Sequence, residues 1–241
     1  MMKSVSLDQR EARAMASGML STLIRPITPM PHPSCAPDGC GWHWHPDNSD
    51  DHYVFAPDLL DLMRSIVDYC PLGNSGDVLL CKEDYVTGYE TDDSGYLITT
   101  DDQGNDLKES VWYRAAPDVL DWWDDGERTE IPWMDAATMP AALVRHRPII
   151  ARVRVVSPCE LTRDEAMACG VERVDPYDDQ PDLPPGMPAC WRNYSDQGGW
   201  FAGDPMSSLR SAVISQYGKE AWVNPAWIIT LSGPRQMKTK S

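Results

Sequence analysis

Gly18-Met19-Leu20-Ser21-Thr22-Leu23-Ile24-Arg25 is the stretch from which the rest of the chain is read. Upstream of it the pattern predicts a helix from Leu7 to Ser17. Ser6 and Gln9 stand as a capping box, the serine oxygen accepting from the third amide while the glutamine reaches back. Gly18 supplies the left-handed stop. Downstream, Pro26, Pro29, Pro31, Pro33 and Pro37 predict an irregular excursion over 26–56.

Further along, a second helix is predicted over about 57–67, with Leu59, Leu62, Met63 and Ile66 on one face. Cys70 to Asp77 reads as a turn and Val78 to Val86 as a strand. Turn signals at Ser94-Gly95 and Gln103-Gly104-Asn105 predict a hairpin region over 88–115. From Ile149 to Val156 the sequence alternates. Ile149, Ala151, Val153 and Val155 are predicted on one face, with Arg152 and Arg154 on the other. A short helix follows, opened by Thr162 and Glu165 and stopped at Gly170. The last helix is predicted from Asp204-Pro205 to Gly218, before an apolar strand at Ala226 to Leu231. Residues 175–204 read as a loop, and the lysine-bearing tail at 232–241 as flexible. Strands broken by helices without a βαβ rhythm point to the α+β class, one domain over 1–231. Two insertions interrupt it, at about 31–69 and 175–204.

Composition excludes several functions. The formal charge of −16 opposes broad binding of duplex nucleic acid, which needs a basic surface to neutralise phosphates. A local basic pocket for one nucleotide or a short single strand remains compatible with it. No apolar run is long enough for a membrane span, and Met1-Met2-Lys3-Ser4 lacks the apolar run of a signal peptide. Seven cysteines without regular spacing fit a reducing cytoplasm better than a disulfide framework. There is no glycine-rich phosphate loop, no Gly-x-Ser-x-Gly elbow and no Cys-x-x-Cys pair.

The octet resembles the Gly-x-Lys-x-x-Glu-x-Arg signature of the ASCH domains, keeping Gly18 and Arg25 but carrying Leu20 for the lysine and Leu23 for the glutamate. Three further segments resemble the same ASCH/PUA-like proteins of tailed phages and prophages. Cys70 to Glu83 is similar to the family's Cys-Pro-Tyr-Gly…Gly-Asp-x-Leu-Trp-Val-Arg-Glu. Met139-Pro140, the 149–156 strand and Leu161 to Ala166 match in order the run that leads to a short acidic helix. Ser207 to Leu231 contains Asn224-Pro225-Ala226-Trp227, close to an Asn-Pro-Trp ending. The resemblance implies a small PUA-like β-barrel with peripheral helices, a rim cleft, and a bacterial host cytoplasm as its setting.

It also implies where a ligand would sit. In the family the arginine lies near the cleft mouth, so Arg25 becomes a candidate for bidentate contact with a phosphate or base edge. A salt bridge to an acidic neighbour such as Glu83 is the structural alternative. Lys82, Glu83, Arg152 and Arg154 complete the candidate ligand set, Arg145-His146-Arg147 adds a positive run, and Trp112, Trp133 or Trp227 are candidate stacking platforms. The ligand so implied is a nucleotide or short single-stranded RNA. One branch of the superfamily resembles an N4-acetylcytidine amidohydrolase that uses the signature lysine. Leu20 cannot serve as a nucleophile or base, so the expectation is a catalytically silent protein, with residual hydrolysis through Ser21 as the enzymatic alternative. An acidic module docking on a host or virion protein is the third class.

No cofactor is expected, zinc being the one metal the residues allow. Cys35, Cys40, His43 and His45 offer four ligands of two suitable types, with Cys70 or His52 as a substitute for one of them. A site with four protein ligands would be structural rather than catalytic.

Overall fold

The computed structural model describes residues 2–36, 39–46, 54–90, 98–101, 103–115, 122–124, 127–175, 188, 190–195 and 201–232. Its strands are β1 (Lys3–Ser6), β2 (Thr22–Pro26), β3 (His32–Ala36), β4 (Gly39–Trp44), β5 (Val54–Ala56), β6 (Leu79–Lys82), β7 (Tyr85–Gly88), β8 (Ser110–Tyr113), β9 (Trp122–Asp124), β10 (Glu127–Thr129), β11 (Ile149–Val156), β12 (Arg173–Val174), β13 (Cys190–Arg192), β14 (Phe201–Ala202) and β15 (Ala226–Ser232). Among the described residues four α-helices accompany them: α1 (Gln9–Ala16), α2 (Leu59–Ser65), α3 (Arg163–Ala168) and α4 (Pro205–Tyr217). The class is α+β.

The spine of the molecule is a ribbon of five strands. β15 lies between β11 and β2, antiparallel to both. β1 runs parallel to β6, and β6 joins the start of β11 through the bridges Val78–Ile149 and Cys81–His146. The resulting order is β1-β6-β11-β15-β2. Among the described residues no sheet closes into the expected barrel.

Why this ribbon holds is visible in β15. Its residues alternate between two cores: Trp227, Ile229 and Leu231 join one, while Ala226 and Ile228 join the other. A strand buried on both faces must read as an unbroken apolar run, and Ala226 to Leu231 does so with the single exception of Thr230. The first core also takes the apolar face of α1, Leu20 and Leu23 from the octet, and Leu62 and Ile66 from the predicted face of α2. The second is formed by α3 and α4 packing on the outside of β2 and β15. Fully buried side chains such as Leu23, Ile229 and Trp227 each contribute about 1.5–3 kcal/mol.

β11 departs from the simple alternation. The register slips between Ile150 and Arg152, leaving Ala151 as an extra residue. Such a bulge resets the parity of the strand. Ile150 therefore faces the first core together with Val153 and Val155, and Ala151 is exposed.

Three other expectations need correction. Helix α1 opens two residues later than predicted. Asp8 caps it by accepting from the Glu11 amide at 2.6 Å, and the Glu11 carboxylate reaches back to the Asp8 amide at 3.2 Å. Asp8 and Glu11 form the same kind of box as Ser6 and Gln9 with stronger acceptors. The predicted strand 78–86 breaks at Glu83-Asp84 into β6 and β7. The irregular insertion after Pro26 contains an ordered antiparallel meander, β3-β4-β5. Gly41 makes that meander possible, since a Cβ there would stand 2.4 Å from the Phe55 ring and 2.6 Å from the Ala56 carbonyl oxygen.

The remaining helix signals hold. Thr162 and Glu165 box α3. Asp204 caps α4 with Pro205 in its first turn. Gly18 and Gly170 take φ of 75° and 76°, where only glycine sits without strain. Gly170 has a second reason: a Cβ there would lie 2.5 Å from the Cβ of Ala14, so the end of α3 rests against α1 through the missing side chain. The Ser94-Gly95 turn, much of 175–204 and the tail beyond Ser232 lie outside the described residues.

Candidate functional site

Arg25 sits at the end of β2, and its guanidinium turns inward to α1. Nη1 donates to Glu11 Oε1 at 2.7 Å and to the Ile24 carbonyl at 2.7 Å. Nη2 donates to Glu11 Oε2 at 2.8 Å and to the Ser6 carbonyl at 3.2 Å. Burial works against the charge of Arg25, but the Glu11 carboxylate and its hydrogen bonds outweigh that effect and hold its pKa above the ordinary arginine value. The Glu11 side chain is only 3% exposed. The carboxylate that closes the first turn of α1 therefore also locks the helix to the ribbon.

Arg10 completes this cluster. It donates to the Cys169 carbonyl, stands 3.6 Å from both Asp8 and Glu11, and faces the Tyr194 ring at 5.8 Å. Beside the cluster is a hollow of about 10 Å³, room for one water, lined by Thr22, Ile24, Cys169 and Tyr217 among others. Arg25 takes the salt-bridge alternative with Glu11 as its partner, in place of Glu83.

Glu83 belongs to a different pair. Its side chain is 1% exposed and accepts from Arg145 Nε at 2.7 Å and Nη2 at 2.8 Å, a two-bonded fork. The outer face of Arg145 lies 4.3 Å from the centre of the Tyr113 ring, and the Tyr113 hydroxyl donates to the Leu143 carbonyl at 2.7 Å. Next to Arg145, His146 brings Nε2 to 3.9 Å from Glu83 Oε1, yet that nitrogen is buried without a hydrogen-bond partner. Burial first, and the Arg145 charge second, push the His146 pKa down to about 4. The Glu83 charge would pull the other way, but Arg145 already engages both of its oxygens, so the imidazole stays neutral.

Other cations gather at the same place. Lys82 donates to the Ala137 carbonyl at 3.1 Å, Arg147 to the carbonyls of Val144 and Ala141, and Arg114 to Asp84 at 3.1 Å. Lys82 and Arg114 thus reach the start of the 136–147 segment, which itself carries Arg145 and Arg147, in a chain whose overall charge is strongly negative.

Arg152 and Arg154 do not join either cluster. Arg152 is exposed, and Arg154 pairs with Glu165 of α3. Lys82 and Glu83 at the end of β6, Arg152, and Arg154 thus lie in three separate neighbourhoods rather than on one track. Trp227 is buried at 2% and meets Trp44 edge to face at 6.2 Å, so it belongs to the core and not to a stacking platform. Trp112 and Trp133 are half-buried. Leu20 is 5% exposed within the first core, and Ser21 lends its backbone to the ribbon, its amide donating to the Ala168 carbonyl at 2.9 Å and its carbonyl accepting from Leu231 at 2.8 Å.

Of the four metal candidates, Cys40 lies on one face of the meander and His43 and His45 on the other. Cys35 and Cys40 are register partners across β3 and β4. Along β4, Cys40 shares its parity with Trp42 and Trp44, while His43 and His45 have the opposite parity. Cys40 is disulfide-bonded, which leaves no thiolate for a metal in this form. The disulfide is also a departure from the fully reduced set of cysteines that composition suggested. Cys70, a proposed substitute, is buried and its thiol is shifted upward by desolvation. His52 lies outside the described residues.

Sequence reasoning overlooked Glu11 and Tyr113, and it counted His146 in a positive run although burial and Arg145 push its pKa down to about 4. Only Glu11 left a signal, three residues after Asp8 in a second capping-box spacing. No family model matches the chain, and no curated protein and no solved structure matches it.

Proposed function

We propose that this chain is a non-catalytic PUA-like protein of the ASCH type, of phage or prophage origin, that binds a nucleotide or short single-stranded RNA in the cytoplasm of a bacterial host. The observation that carries the ligand reading is the Arg145–Tyr113 pair: a guanidinium fixed from below by the buried Glu83 and stacked 4.3 Å from an aromatic ring. A flat cation beside an aromatic ring suits an unpaired base, whose π face stacks on either group. Lys82, Arg114 and Arg147 supply positive charge around it for phosphate. The ASCH resemblance supports the class, and the chain agrees with it in being α+β, although among the described residues no sheet closes into a barrel.

The non-catalytic half rests on the octet. Leu20 in the core leaves the family's lysine position without a titratable group. Cys81 and Cys169, both buried, have pKa values pushed up to about 12 by desolvation, so neither is a nucleophile at neutral pH. Arg25 here holds α1 in place, and ligand contact passes to Arg145.

The test is fluorescence anisotropy with a labelled single-stranded oligoribonucleotide, in parent and Arg145→Lys. Salt-sensitive binding that weakens by about 1–3 kcal/mol in the variant, with the fold unchanged by circular dichroism, is the expected result. A parent chain that binds neither the oligonucleotide nor a mononucleotide pool would end the proposal and favour a protein partner for the acidic surface.

A further inference from the structure

An arginine side chain carries five N–H donors, and at Arg145 the Glu83 carboxylate takes only two of them, one on Nε and one on Nη2. Both bonds lie along one edge of the guanidinium. The second hydrogen of Nη2 and the pair on Nη1 are left over, without a partner among the described residues. One hydrogen of Nη1 and one of Nη2 point the same way in the plane of the group, so a second two-donor fork remains on another edge. Its direction is fixed in advance. Glu83, 1% exposed, anchors the first edge. The Tyr113 ring, itself pinned through its hydroxyl to the Leu143 carbonyl, lies against the group at 4.3 Å.

The charge around this fork decides what it takes. Glu83 already neutralises Arg145, so a full anion gains little there and is repelled by the carboxylate behind. A neutral pair of acceptors escapes that repulsion and still gains two directional bonds. Lys82 and Arg147 are different. Among the described residues both are held by backbone carbonyls alone, Lys82 by Ala137 and Arg147 by Val144 and Ala141. Each keeps an uncompensated charge for phosphate. Arg114 does not, because Asp84 pairs with it at 3.1 Å.

We infer that, given the single-stranded ligand proposed above, the base held at Arg145 is guanine, read through O6 and N7 by the free fork, while Lys82 and Arg147 hold neighbouring phosphates. Guanine presents two adjacent acceptors on that edge. Adenine presents one acceptor and one amino donor there, and the donor faces an N–H of the fork. A base stacked only on the flat face of the guanidinium is held whatever its identity; a base met edge-on is selected. Arg145 is thus the specificity-determining residue, and Lys82 and Arg147 supply affinity without choice.

The experiment is fluorescence anisotropy at fixed salt with labelled short oligouridylates that carry one variable base: guanine, adenine, cytosine, hypoxanthine or 7-deazaguanine. Guanine is expected to bind roughly tenfold or more tightly than adenine or the all-uracil strand. Hypoxanthine keeps O6 and N7 and should match guanine, while 7-deazaguanine lacks the N7 acceptor and should fall toward adenine. In Arg145→Lys a single ammonium held by Glu83 offers no second fork, so the preference for guanine should be lost. In Arg147→Gln every oligonucleotide should weaken alike, with the preference kept. Equal binding of all bases by the parent, or a preference for cytosine, would overturn the guanine assignment and leave the single-strand reading standing. Full affinity for the 7-deaza base, or an unaltered preference in Arg145→Lys, would overturn it as well. A parent that binds none of the oligonucleotides would bring down both. Circular dichroism confirms that each variant is folded, and the 7-deaza comparison needs no variant at all.

Discussion

Two buried carboxylates organise this molecule, and they do different things with the same chemistry. Glu11 and Glu83 are both almost wholly enclosed, and each is gripped by both ends of a guanidinium fork. Around Glu11 the arginine is only 14% exposed, its donors taken by the carboxylate and by two backbone carbonyls. Around Glu83 the arginine is 30% exposed and stacked on tyrosine. The first pair fastens a helix to a sheet. The second holds one cation steady at the surface. An arginine in a family-like motif is therefore not a ligand site merely by being an arginine; what decides is how many of its donors the protein itself uses.

The largest test of the contrast is Arg25→Ala. Removing one partner of a buried pair leaves an uncompensated charge, and a loss of about 3–5 kcal/mol is expected, read as a large drop in urea midpoint. Replacing both partners, Glu11→Leu with Arg25→Met, should recover much of that loss, because the stranded charge disappears. Equal losses in single and double variants would break the reading of the pair as a clasp.

Arg145→Ala should cost less, about 2–3 kcal/mol, since water can follow into the space of a partly exposed side chain and reach Glu83. A second readout sharpens it. With Arg145 gone, its repulsion of His146 ends and Glu83 has free oxygens, so the imidazole should titrate at a higher pH, measured by NMR of its ring protons. An unchanged titration would detach His146 from this pair.

A smaller effect follows from the parent protein's pH dependence. The His146 pKa is depressed from 6.5 to about 4, so the unfolded chain takes up a proton on this residue that the folded chain refuses. Its stabilising contribution is present above pH 6.5 and is lost as pH falls toward 4. Between pH 7 and pH 5 this amounts to about 2 kcal/mol. The urea midpoint of His146→Asn should fall less over the same interval. The smallest effect is expected from Asp8→Ala, which removes the cap that aims Glu11 at Arg25, at about 1 kcal/mol.

Much of the fold was legible in the sequence because local chemistry dictated it. The α3 box, the proline after Asp204, the glycine stops and the apolar face of α2 all act within a few residues of themselves. What was not legible depended on partners far away. The choice between two overlapping boxes before α1 went to Asp8 and Glu11, and Glu11 has a distant arginine that Gln9 lacks. The bulge at Ala151 exists only against β15, and the meander after Pro26 needs Gly41 to meet β5. At the candidate site, charge type was visible but pairing was not: Arg25, Arg145 and Arg154 each found a carboxylate that sequence distance concealed, at separations of 14, 62 and 11 residues.

The position of β15 has a consequence for how the protein is made. It is the central member between β2 and β11, yet it is the last of the five ribbon strands to leave the ribosome, about 200 residues after β2. Until residues 226–232 emerge, β2 and β11 present unpaired edges and half of each core lacks its wall. The nascent chain must wait for its keystone, and a ribosome stalled short of Ala226 would leave a sticky intermediate in place of a smaller folded domain.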